Sequence, residues 1–422
     1  MDNQHEKWMR RALALARHGI ALSSPNPCVG AVLVDADGQV LGEGTHTYEG
    51  VKHAEVLAIE AATRAGHSVR GATLYLNLEP CCHTGRTGPC VEAVVAAGIT
   101  RVVMAVRDPN PEVSGRSVER LRAAGVEVVE GIVENEARKL NESFAKFIRR
   151  RTPLVTLKAA MTLDGKIAPP PGDSVHAATA APYGPSGGWI TSGPARAHVQ
   201  ELRHASDAIM VGVGTVIADD PLLTDRTGRP RRRPLLRIIL DSLLRLPLNS
   251  RVVETAKDDV LVLCAFAEET KKKALEERGV RVEQVALPSA ASALESPKMR
   301  RMPVRRRTGT GKPIREAQTA EAVNYARPDL RRAMERLGQM EITSVLIEGG
   351  ALVNWAALAA GVVDKVFLYY APRILAGTGS VPFAAGTGFR KLSEAAHVNG
   401  ITIHNFGDDF AIEGYLRDPD SD

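Results

Sequence analysis

Residues 53–106 read HAEVLAIEAATRAGHSVRGATLYLNLEPCCHTGRTGPCVEAVVAAGITRVVMAV, and this stretch decides the fold class of the first third of the chain. Apolar residues at helical spacing predict helices over 53–66 and 89–98, each closed by a glycine. Short apolar runs at 72–78 and 101–106 predict a strand after each helix. Helices that alternate with strands indicate an α/β sandwich built around one sheet.

The alternation continues on both sides of this stretch. Residues 6–18 predict a helix, and two apolar runs at 29–34 and 39–44 flank Asp37-Gly38, the pattern of a β-hairpin. Downstream, residues 117–125 predict a helix and 126–131 a strand. These elements all belong to the same predicted sandwich.

A second α/β pattern follows the segment FAKFIRRRTP (144–153), in which three arginines and a proline end an amphipathic helix. We therefore predict two domains, 1–150 and 151–422. The strands expected in the second domain are 153–160, 207–214, 235–241, 259–265, 342–350 and 363–372. Two stretches without periodicity, at about 168–188 and 286–321, predict long loops.

The composition is that of a globular protein, with 44% hydrophobic and 24% charged residues among 422. No apolar run reaches the roughly 18 residues that span a bilayer, and the N-terminus lacks the apolar core of a signal peptide. The net charge of +5 is local, because residues 298–315 hold eight Lys or Arg and no acidic residue. A local excess argues against a nucleic-acid-binding surface over the whole protein.

The five cysteines form a poor disulfide framework, because their number is odd and three lie within ten residues. This pattern favours a metal site in a reducing, cytoplasmic environment. The cysteines are Cys28, Cys81, Cys82, Cys90 and Cys264.

The strongest chemical signal is a set of metal-ligand types at the starts of two predicted helices. Catalytic zinc takes three protein ligands and keeps a fourth position open for water. His53, Cys81 and Cys90 would supply the three, and the helix N-terminus together with Arg86 favours the thiolate of Cys90. Glu55 would lie beside the attacking water, take its proton and deliver it to the ring nitrogen and the leaving ammonia. The pattern therefore predicts a zinc-dependent deaminase.

The cysteine spacing departs from the general deaminase signature H-x-E…P-C-x-x-C, because residue 84 is Thr84 and the cysteine after Cys82 is Cys90. Cys82 is predicted to pack in the core, and the residues before Cys90 would form an inserted loop over the substrate. One alternative is a closed zinc site with His83 as fourth ligand, although such a site has no use for Glu55. A second alternative is a cluster of buried cysteines without metal.

These motifs resemble the deaminase half of the bifunctional riboflavin biosynthesis deaminase–reductases. The resemblance rests on HAE (53–55), EPCCHTGRTGPC (79–90), SPNPCVG (24–30) and RDPNP (107–111), and the long cysteine spacing is the form found in that family. It extends over nearly the whole chain. In the second half the similar motifs are LDGK (163–166), WITS (189–192), Thr215 with ADDPLLT (218–224), and EGG (348–350).

The resemblance implies a cytidine-deaminase-like three-layer αβα sandwich followed by a dihydrofolate-reductase-like α/β domain. It implies hydrolytic removal of the 2-amino group of 2,5-diamino-6-(5-phosphoribosylamino)pyrimidin-4-one, then reduction of the ribosyl group to ribityl with NADPH. Zinc and NADPH are the implied cofactors, and the implied partners are this small molecule and further copies of the chain, without nucleic acid or membrane. By motif, the deaminase substrate contacts are Asn26, His46, His83 and Arg86.

For the second domain, the resemblance implies two sets of ligand contacts. The residues expected to bind NADPH are Ala160, Trp189, Thr215, Asp219, Ser242 and Gly350. The residues expected to bind the sugar substrate are Arg203, Leu223, Arg226 and Glu348. One position departs from the family, which usually has a serine two residues before the tryptophan where this chain has Gly187.

Other roles stay open for several of these residues. Asn26, Asp108 and Asn110 have the side chains that cap turns, and Trp189 could be an ordinary core residue. The two glycines that end the segment ITSVLIEGG (342–350) could let the backbone approach a phosphate or could simply make a tight turn.

Two other functions compete with this interpretation. A zinc deaminase acting on a nucleic-acid base would explain the basic segment, but only 4% of the residues are aromatic, which leaves few stacking platforms. A zinc-stabilised binding module without activity would not need Glu55 beside the metal ligands.

Overall fold

The computed structural model describes residues 2–170, 188–285 and 327–419. The two predicted long loops fall almost wholly outside these ranges, as do Gly187 and the basic segment 298–315. The described residues form two large sheets with helices on both faces of each, and a small two-stranded sheet made by residues 166–168 and 381–382.

The first sheet contains five strands in the order β2-β1-β3-β4-β5. The pairs β1–β2 and β1–β3 are antiparallel, whereas β3–β4 and β4–β5 are parallel. The predicted hairpin is therefore confirmed, and the other predicted elements appear with ends shifted by a few residues. The elements are α1 (Asp2–Arg17), β1 (Gly30–Val34), β2 (Val40–Thr45), α2 (Ala54–Arg64), β3 (Thr73–Leu76), α3 (Cys90–Ala96), β4 (Arg101–Met104), α4 (Arg116–Ala123), β5 (Glu127–Glu130), α5 (Glu134–Leu140) and α6 (Glu142–Arg150).

Side chains alternate across this sheet and so divide the core into two layers. Ala31 and Leu33 pack with helices α2, α3 and α4 on one face. Val32 and Val34 pack with α1 and α5 on the other. This three-layer arrangement is the predicted αβα sandwich.

Glycine in β2 lets α2 lie unusually close to the sheet. A Cβ on Gly44 would come 2.1 Å from the carbonyl oxygen of Ala54, and one on Gly42 would come 2.3 Å from that of Ala58. No larger residue fits at these points without moving the helix. The close contact fixes the start of α2, where His53 precedes the helix and Glu55 lies in its first turn.

The second sheet contains nine strands in the order β11-β10-β9-β8-β12-β6-β13-β16-β15. Seven of them run parallel, and the last two extend the sheet as an antiparallel pair. The six predicted strands are present. The elements are β6 (Leu154–Thr162), β7 (Lys166–Ala168), α7 (Gly193–Ala205), β8 (Ala208–Gly212), α8 (Val213–Asp219), β9 (Leu236–Leu240), α9 (Arg251–Glu254), β10 (Val260–Cys264), α10 (Glu269–Glu276), β11 (Val280–Gln284), α11 (Leu330–Gln339), β12 (Ser344–Ile347), α12 (Ala351–Ala359), β13 (Lys365–Ala371), β14 (Val381–Pro382), a 3-10 turn (Leu392–Glu394), β15 (Asn399–Phe406) and β16 (Asp409–Tyr415).

Helices cover both faces of the second sheet as well. Helices α11 and α12 pack on the face formed by Val155, Leu157 and their neighbours. Helices α8, α9 and α10 pack on the opposite face around Ile239 and Val262. The mixed α/β class expected for the chain is therefore confirmed.

Ion pairs join helix α6, which follows the first sheet in the chain, to the start of strand β13 in the second sheet. Lys146 in α6 contacts the buried Asp364, and Glu142 accepts a hydrogen bond from the Lys365 ammonium at 2.5 Å. These side chains are at most about one-sixth exposed. Removing one partner would leave a poorly solvated charge, so the network ties α6 firmly to β13.

Candidate active sites

Three predicted metal ligands come together at the ends of α2, β3 and α3. His53 immediately precedes α2, Cys81 lies in the loop after β3, and Cys90 is the first residue of α3. The ligand atoms of these residues all lie within 4.8 Å of one another. Nδ1 of His53 is 3.1 Å from Sγ of Cys90 and 3.4 Å from Sγ of Cys81.

This donor set fits zinc. One imidazole and two sulfurs are ligands that zinc prefers, and three protein ligands leave an open position. Hydrogen bonds from Cys90 and His53 lower the pKa of the Cys81 thiol to about 4, whereas the hydrogen bond with Cys81 raises the pKa of Cys90. In the protein without metal, Cys81 and not Cys90 is therefore the favoured thiolate, contrary to the expectation for Cys90. Within the described part of the chain, His83 lies on the exposed loop and is not a member of the ligand group. The closed four-ligand alternative is thus not what this geometry shows.

Glu55 lies in the first turn of α2, beside the ligands. The residue is only 3% exposed. Its Oε2 atom has no hydrogen-bond partner among the described residues. Burial raises the pKa of this carboxyl. A buried carboxyl with an unsatisfied oxygen and a raised pKa is suited to holding a proton next to the metal position.

Asn26 and His46 form the wall of the same site. The ring of His46 lies edge-on to that of His53, with centroids 5.2 Å apart. Its Nδ1 is 3.0 Å from the carbonyl oxygen of Lys52, so Nδ1 must be the protonated nitrogen. The amide Nδ2 of Asn26 then donates to Nε2 at 3.0 Å. Because burial lowers the pKa of His46, the neutral ring with this tautomer is favoured.

Arg86 lies on the exposed loop between the two cysteines. Its guanidinium donates to the carbonyl oxygen of Tyr48 at 2.9 Å and lies 4.4 Å from the centroid of that ring. Cys82, next to the ligand Cys81, is buried in the core as expected.

Asp108 and Asn110 both cap turns, which is the alternative role that the sequence left open for them. The carboxylate of Asp108 accepts the Asn110 N–H at 2.8 Å, and the side chain of Asn110 accepts the Glu112 N–H at 3.0 Å. The buried Glu79 holds the same segment by accepting backbone N–H groups, including that of Asp108 at 3.1 Å. Burial raises the pKa of Asp108 to about 7.

The described part of the second domain contains a large cavity of about 1700 Å³. It lies at the carboxyl ends of strands β8, β9 and β12. All ten residues expected to bind NADPH or the sugar substrate line it. Trp189 is 48% exposed, so it is not an ordinary core residue. The ten are Ala160, Trp189, Arg203, Thr215, Asp219, Leu223, Arg226, Ser242, Glu348 and Gly350.

A buried group of three charges lies in the wall of this cavity. Arg203 donates twice to the carboxylate of Glu348, at 2.6 and 2.9 Å, and the Lys158 ammonium is 3.6 Å from the same carboxylate. Burial alone would raise the pKa of Glu348, but the two cations hold it at about 2. Burial lowers the pKa of Lys158. Glu348 is therefore anionic at any physiological pH.

Lys158 was missed by the sequence analysis. It lies in the middle of β6, within the otherwise apolar pattern LVTLKAA. A lysine inside a strand of this type is unusual, because buried lysines need a partner. The charge was a visible signal, but its partners Arg203 and Glu348 lie far away in sequence.

The turn after β12 is held by a side chain from another element. Gly350 donates its N–H to Oγ1 of Thr215 at 3.0 Å and precedes the first residue of α12. A Cβ on Gly350 would lie 3.4 Å from that hydroxyl. Gly350 thus lies in the cavity wall with its N–H bonded to Thr215.

Comparisons with known proteins match each half of the chain to a protein family. Residues 2–106 match the cytidine and deoxycytidylate deaminase zinc-binding region. Residues 153–412 match the RibD C-terminal domain. Fold and site together define a zinc-binding deaminase joined to a reductase.

Similarity over the full length narrows this class to one family. The riboflavin biosynthesis protein RibD of Actinobacillus pleuropneumoniae is 36% identical over 98% of this chain and 95% of its own length. The RibD protein of Escherichia coli (strain K12) is 34% identical over 97% and 98%. This chain belongs to the RibD family, the bifunctional deaminase–reductases of riboflavin biosynthesis.

A solved structure supports the same assignment. The diaminohydroxyphosphoribosylaminopyrimidine deaminase/5-amino-6-(5-phosphoribosylamino)uracil reductase of Thermotoga maritima superposes with a TM-score of 0.74 at 33% identity. The match covers 98% of this chain and 99% of that one. Among the residues that the structure describes, no helix has both the length and the apolar run needed to cross a bilayer.

Proposed function

We propose that the first domain deaminates 2,5-diamino-6-(5-phosphoribosylamino)pyrimidin-4-one and that the second reduces the ribosyl group of the product to ribityl with NADPH. The observation that carries the first half is the three-ligand cluster of His53, Cys81 and Cys90 beside the carboxyl of Glu55, whose Oε2 has no hydrogen-bond partner among the described residues. The observation that carries the second is the single cavity lined by all ten expected residues.

His53, Cys81 and Cys90 would hold the zinc ion. Zinc supplies a Lewis acid that makes a water molecule nucleophilic near neutral pH. Glu55 would take one proton from the attacking water and pass it to the ring nitrogen. It would then take the second proton, from the hydroxyl added at carbon, and pass it to the amine, which leaves as ammonia when the C–N bond breaks. Its raised pKa suits this exchange, because a carboxyl that is permanently ionised could not give the proton back. The ligand thiols must stay reduced, which favours a reducing, cytosolic setting for the protein.

The deaminase substrate would lie against Asn26, His46, His83 and Arg86. The amide of Asn26 can read the edge of the pyrimidine, and its orientation is fixed by the bond to His46. Arg86 and His83 lie on the exposed loop, where their donors can reach the phosphate.

In the reductase domain, NADPH would lie along Ala160, Trp189, Thr215, Asp219, Ser242 and Gly350. The cofactor supplies the hydride, and the protein places it against the sugar carbon. Arg203, Leu223, Arg226 and Glu348 would hold the sugar phosphate.

Within the same cavity we assign Lys158 the task of a proton donor near the reacting sugar. Glu348 and Arg203 fix the position of its ammonium. Burial lowers the pKa of Lys158, which makes the ammonium a better acid than an exposed lysine.

We place the boundary between the domains at 150/151, between α6 and β6, and propose that copies of the chain associate. Strand β15 supports association, because it is the edge of the nine-stranded sheet and Ile401 and Ile403 are 57% and 63% exposed. An exposed apolar edge strand is a ready surface for pairing with another sheet.

The zinc-loaded chain tests the proposal in two assays. Ammonia release is followed with the phosphoribosylaminopyrimidinone as substrate, and NADPH absorbance with the deaminated product. We expect both reactions. Ammonia released only from a tRNA or single-stranded DNA would overturn the deaminase assignment, and no loss of NADPH would overturn the reductase assignment.

A further inference from the structure

Tyr48 of the deaminase domain is contacted by two arginines from different parts of the chain. The guanidinium of Arg86 lies 4.4 Å from the ring centroid, and that of Arg232 lies 3.4 Å from it. Arg232 follows α8 and belongs to the stretch that matches the reductase family. A residue of the second domain therefore reaches into the deaminase site.

Arg232 contacts the first domain through both its backbone and its side chain. Its N–H donates to the carbonyl oxygen of Ala21 at 2.9 Å, and its guanidinium donates to that of Ser24 at 2.7 Å. The same guanidinium is 3.2 Å from the carboxylate of Glu49. Its side chain is 18% exposed. These bonds hold the Arg232 side chain in one position on the ring.

The segments that Arg232 contacts are those that bear the expected substrate contacts. Ser24 lies two residues before Asn26, and Tyr48 lies two residues after His46. The carbonyl oxygen of Tyr48 accepts the hydrogen bond that orients Arg86. Through Tyr48, Arg232 thus supports the position of Arg86 on the loop expected to bind the phosphate.

The charges explain why Arg86 needs this support. Glu49 balances Arg232, whereas Arg86 has no carboxylate partner among the described residues. Two cations on one ring repel each other, so Arg86 gains most from an anion placed on its open side. The phosphate of the substrate has that charge.

We propose that Arg232 is a positioning residue for the deaminase reaction: by clamping Tyr48 and the 21–24 segment, it holds Arg86 ready for the substrate phosphate. This inference rests on the proposed deaminase substrate. It makes phosphate recognition in the first domain depend on a side chain of the second.

The test compares the full-length, zinc-loaded variants Arg232→Ala, Arg232→Lys and Tyr48→Leu. For Arg232→Ala we expect KM for the phosphorylated pyrimidine to rise about tenfold, equivalent to about 1.4 kcal/mol, with little change in kcat. Tyr48→Leu should raise KM similarly, and Arg232→Lys should restore part of it. Arg86→Ala combined with Arg232→Ala should be no worse than Arg86→Ala alone, because both act on one contact.

Two controls separate positioning from a general loss of structure. Arg229→Ala removes a charge from the same loop, but Arg229 pairs with Glu201 at 2.5 Å inside the reductase domain, so KM should stay unchanged. The dephosphorylated substrate should show the same KM with wild type and Arg232→Ala, and NADPH oxidation should be unaffected.

An unchanged KM in Arg232→Ala would overturn the inference. So would an equal rise for the dephosphorylated substrate, or effects of Arg86→Ala and Arg232→Ala that multiply. A wild-type chain that releases no ammonia from the pyrimidine would instead refute the proposed substrate.

Discussion

The deaminase and reductase sites each contain a buried glutamate, and the two are in opposite electrostatic states. Glu55 is 3% exposed and has an oxygen without a partner among the described residues, and burial raises its pKa. The Glu348 side chain is 8% exposed but lies between Arg203 and Lys158, which hold its pKa at about 2. In the protein without metal, the side chains of Arg203 and Lys158, and not the depth of burial, distinguish the pKa of Glu348 from that of Glu55. This contrast supports the proposed role of Glu55 as acid and base and that of Glu348 as a fixed anion.

The largest expected effect tests the proton-exchanging member of the pair. Glu55→Gln keeps the shape of the side chain but removes its acid–base function, so deamination should fall by about 10²- to 10⁴-fold. Ammonia release, bound zinc and NADPH oxidation are measured on the same preparation, and the last two should not change. Glu60→Gln is the matched control, because Glu60 lies in the same helix and pairs with Lys52 near the surface. Unchanged ammonia release with zinc bound would refute the role of Glu55.

The second prediction concerns the fixed anion. Glu348→Gln leaves Arg203 and Lys158 buried without their counter-charge, which should lower the free energy of unfolding by about 3–5 kcal/mol. Most NADPH oxidation should be lost as well, since Lys158 would no longer be held in place. Calorimetry and NADPH absorbance measure the two effects.

Glu283→Gln serves as the control for that variant. Glu283 pairs with Arg336 at 2.7 Å in a more exposed setting, where an ion pair contributes about 0–1 kcal/mol. Equal destabilisation by the two substitutions would show that the buried cations are not what distinguishes Glu348.

The pH dependence of stability extends the comparison to a third buried carboxyl, that of Asp108. Burial raises the pKa of Asp108 from 3.8 to about 7, so the folded protein holds a proton that the unfolded chain releases between these values. Stability should fall as pH rises through this interval, by up to about 1.4 kcal/mol per pH unit. Glu348 acts in the opposite sense, because its depressed pKa stabilises the fold above pH 4.5 and that contribution is lost toward pH 2.

Asp108→Asn isolates the first of these effects. The amide oxygen can still accept the Asn110 N–H, but the side chain no longer titrates. Urea unfolding of the zinc-loaded protein between pH 5 and 8 should therefore show a smaller decline in the variant than in wild type. Identical slopes would assign the pH dependence to other groups.

The smallest effect on activity is expected at the sheet edge. Ile403→Lys places a charge on the exposed face of β15 and should shift sedimentation toward the monomer while leaving ammonia release near its wild-type value. Val95→Lys, a change at an exposed apolar residue of α3, is the control. A sedimentation profile identical to wild type would remove β15 from the proposed interface.

Much of the fold and the ligand set of the deaminase metal site could be predicted from local sequence. Strand and helix periodicity identified the sandwich elements around β1 to β5, and His53, Glu55, Cys81 and Cys90 lie within one short stretch of chain. Strands β11, β15 and β16 were not predicted, although Ile401 and Ile403 alternate with polar residues in β15 and β15 forms a hairpin with β16. The hairpin joins the sheet by pairing β16 with β13, which lies far earlier in the sequence, and local patterns do not specify such pairing.

The sequence by itself determined the donor types of the metal site and the family to which the chain belongs, because those residues lie in one segment, 53–90, and their chemistry is specific. Only the tertiary structure placed Lys158 and Arg203 on Glu348, since the strand order β8-β12-β6 joins segments that are far apart in sequence. It alone also put Arg232 on Tyr48. Charges that meet across such distances leave no periodic trace in the sequence, yet they keep the buried carboxyl of Glu348 ionised.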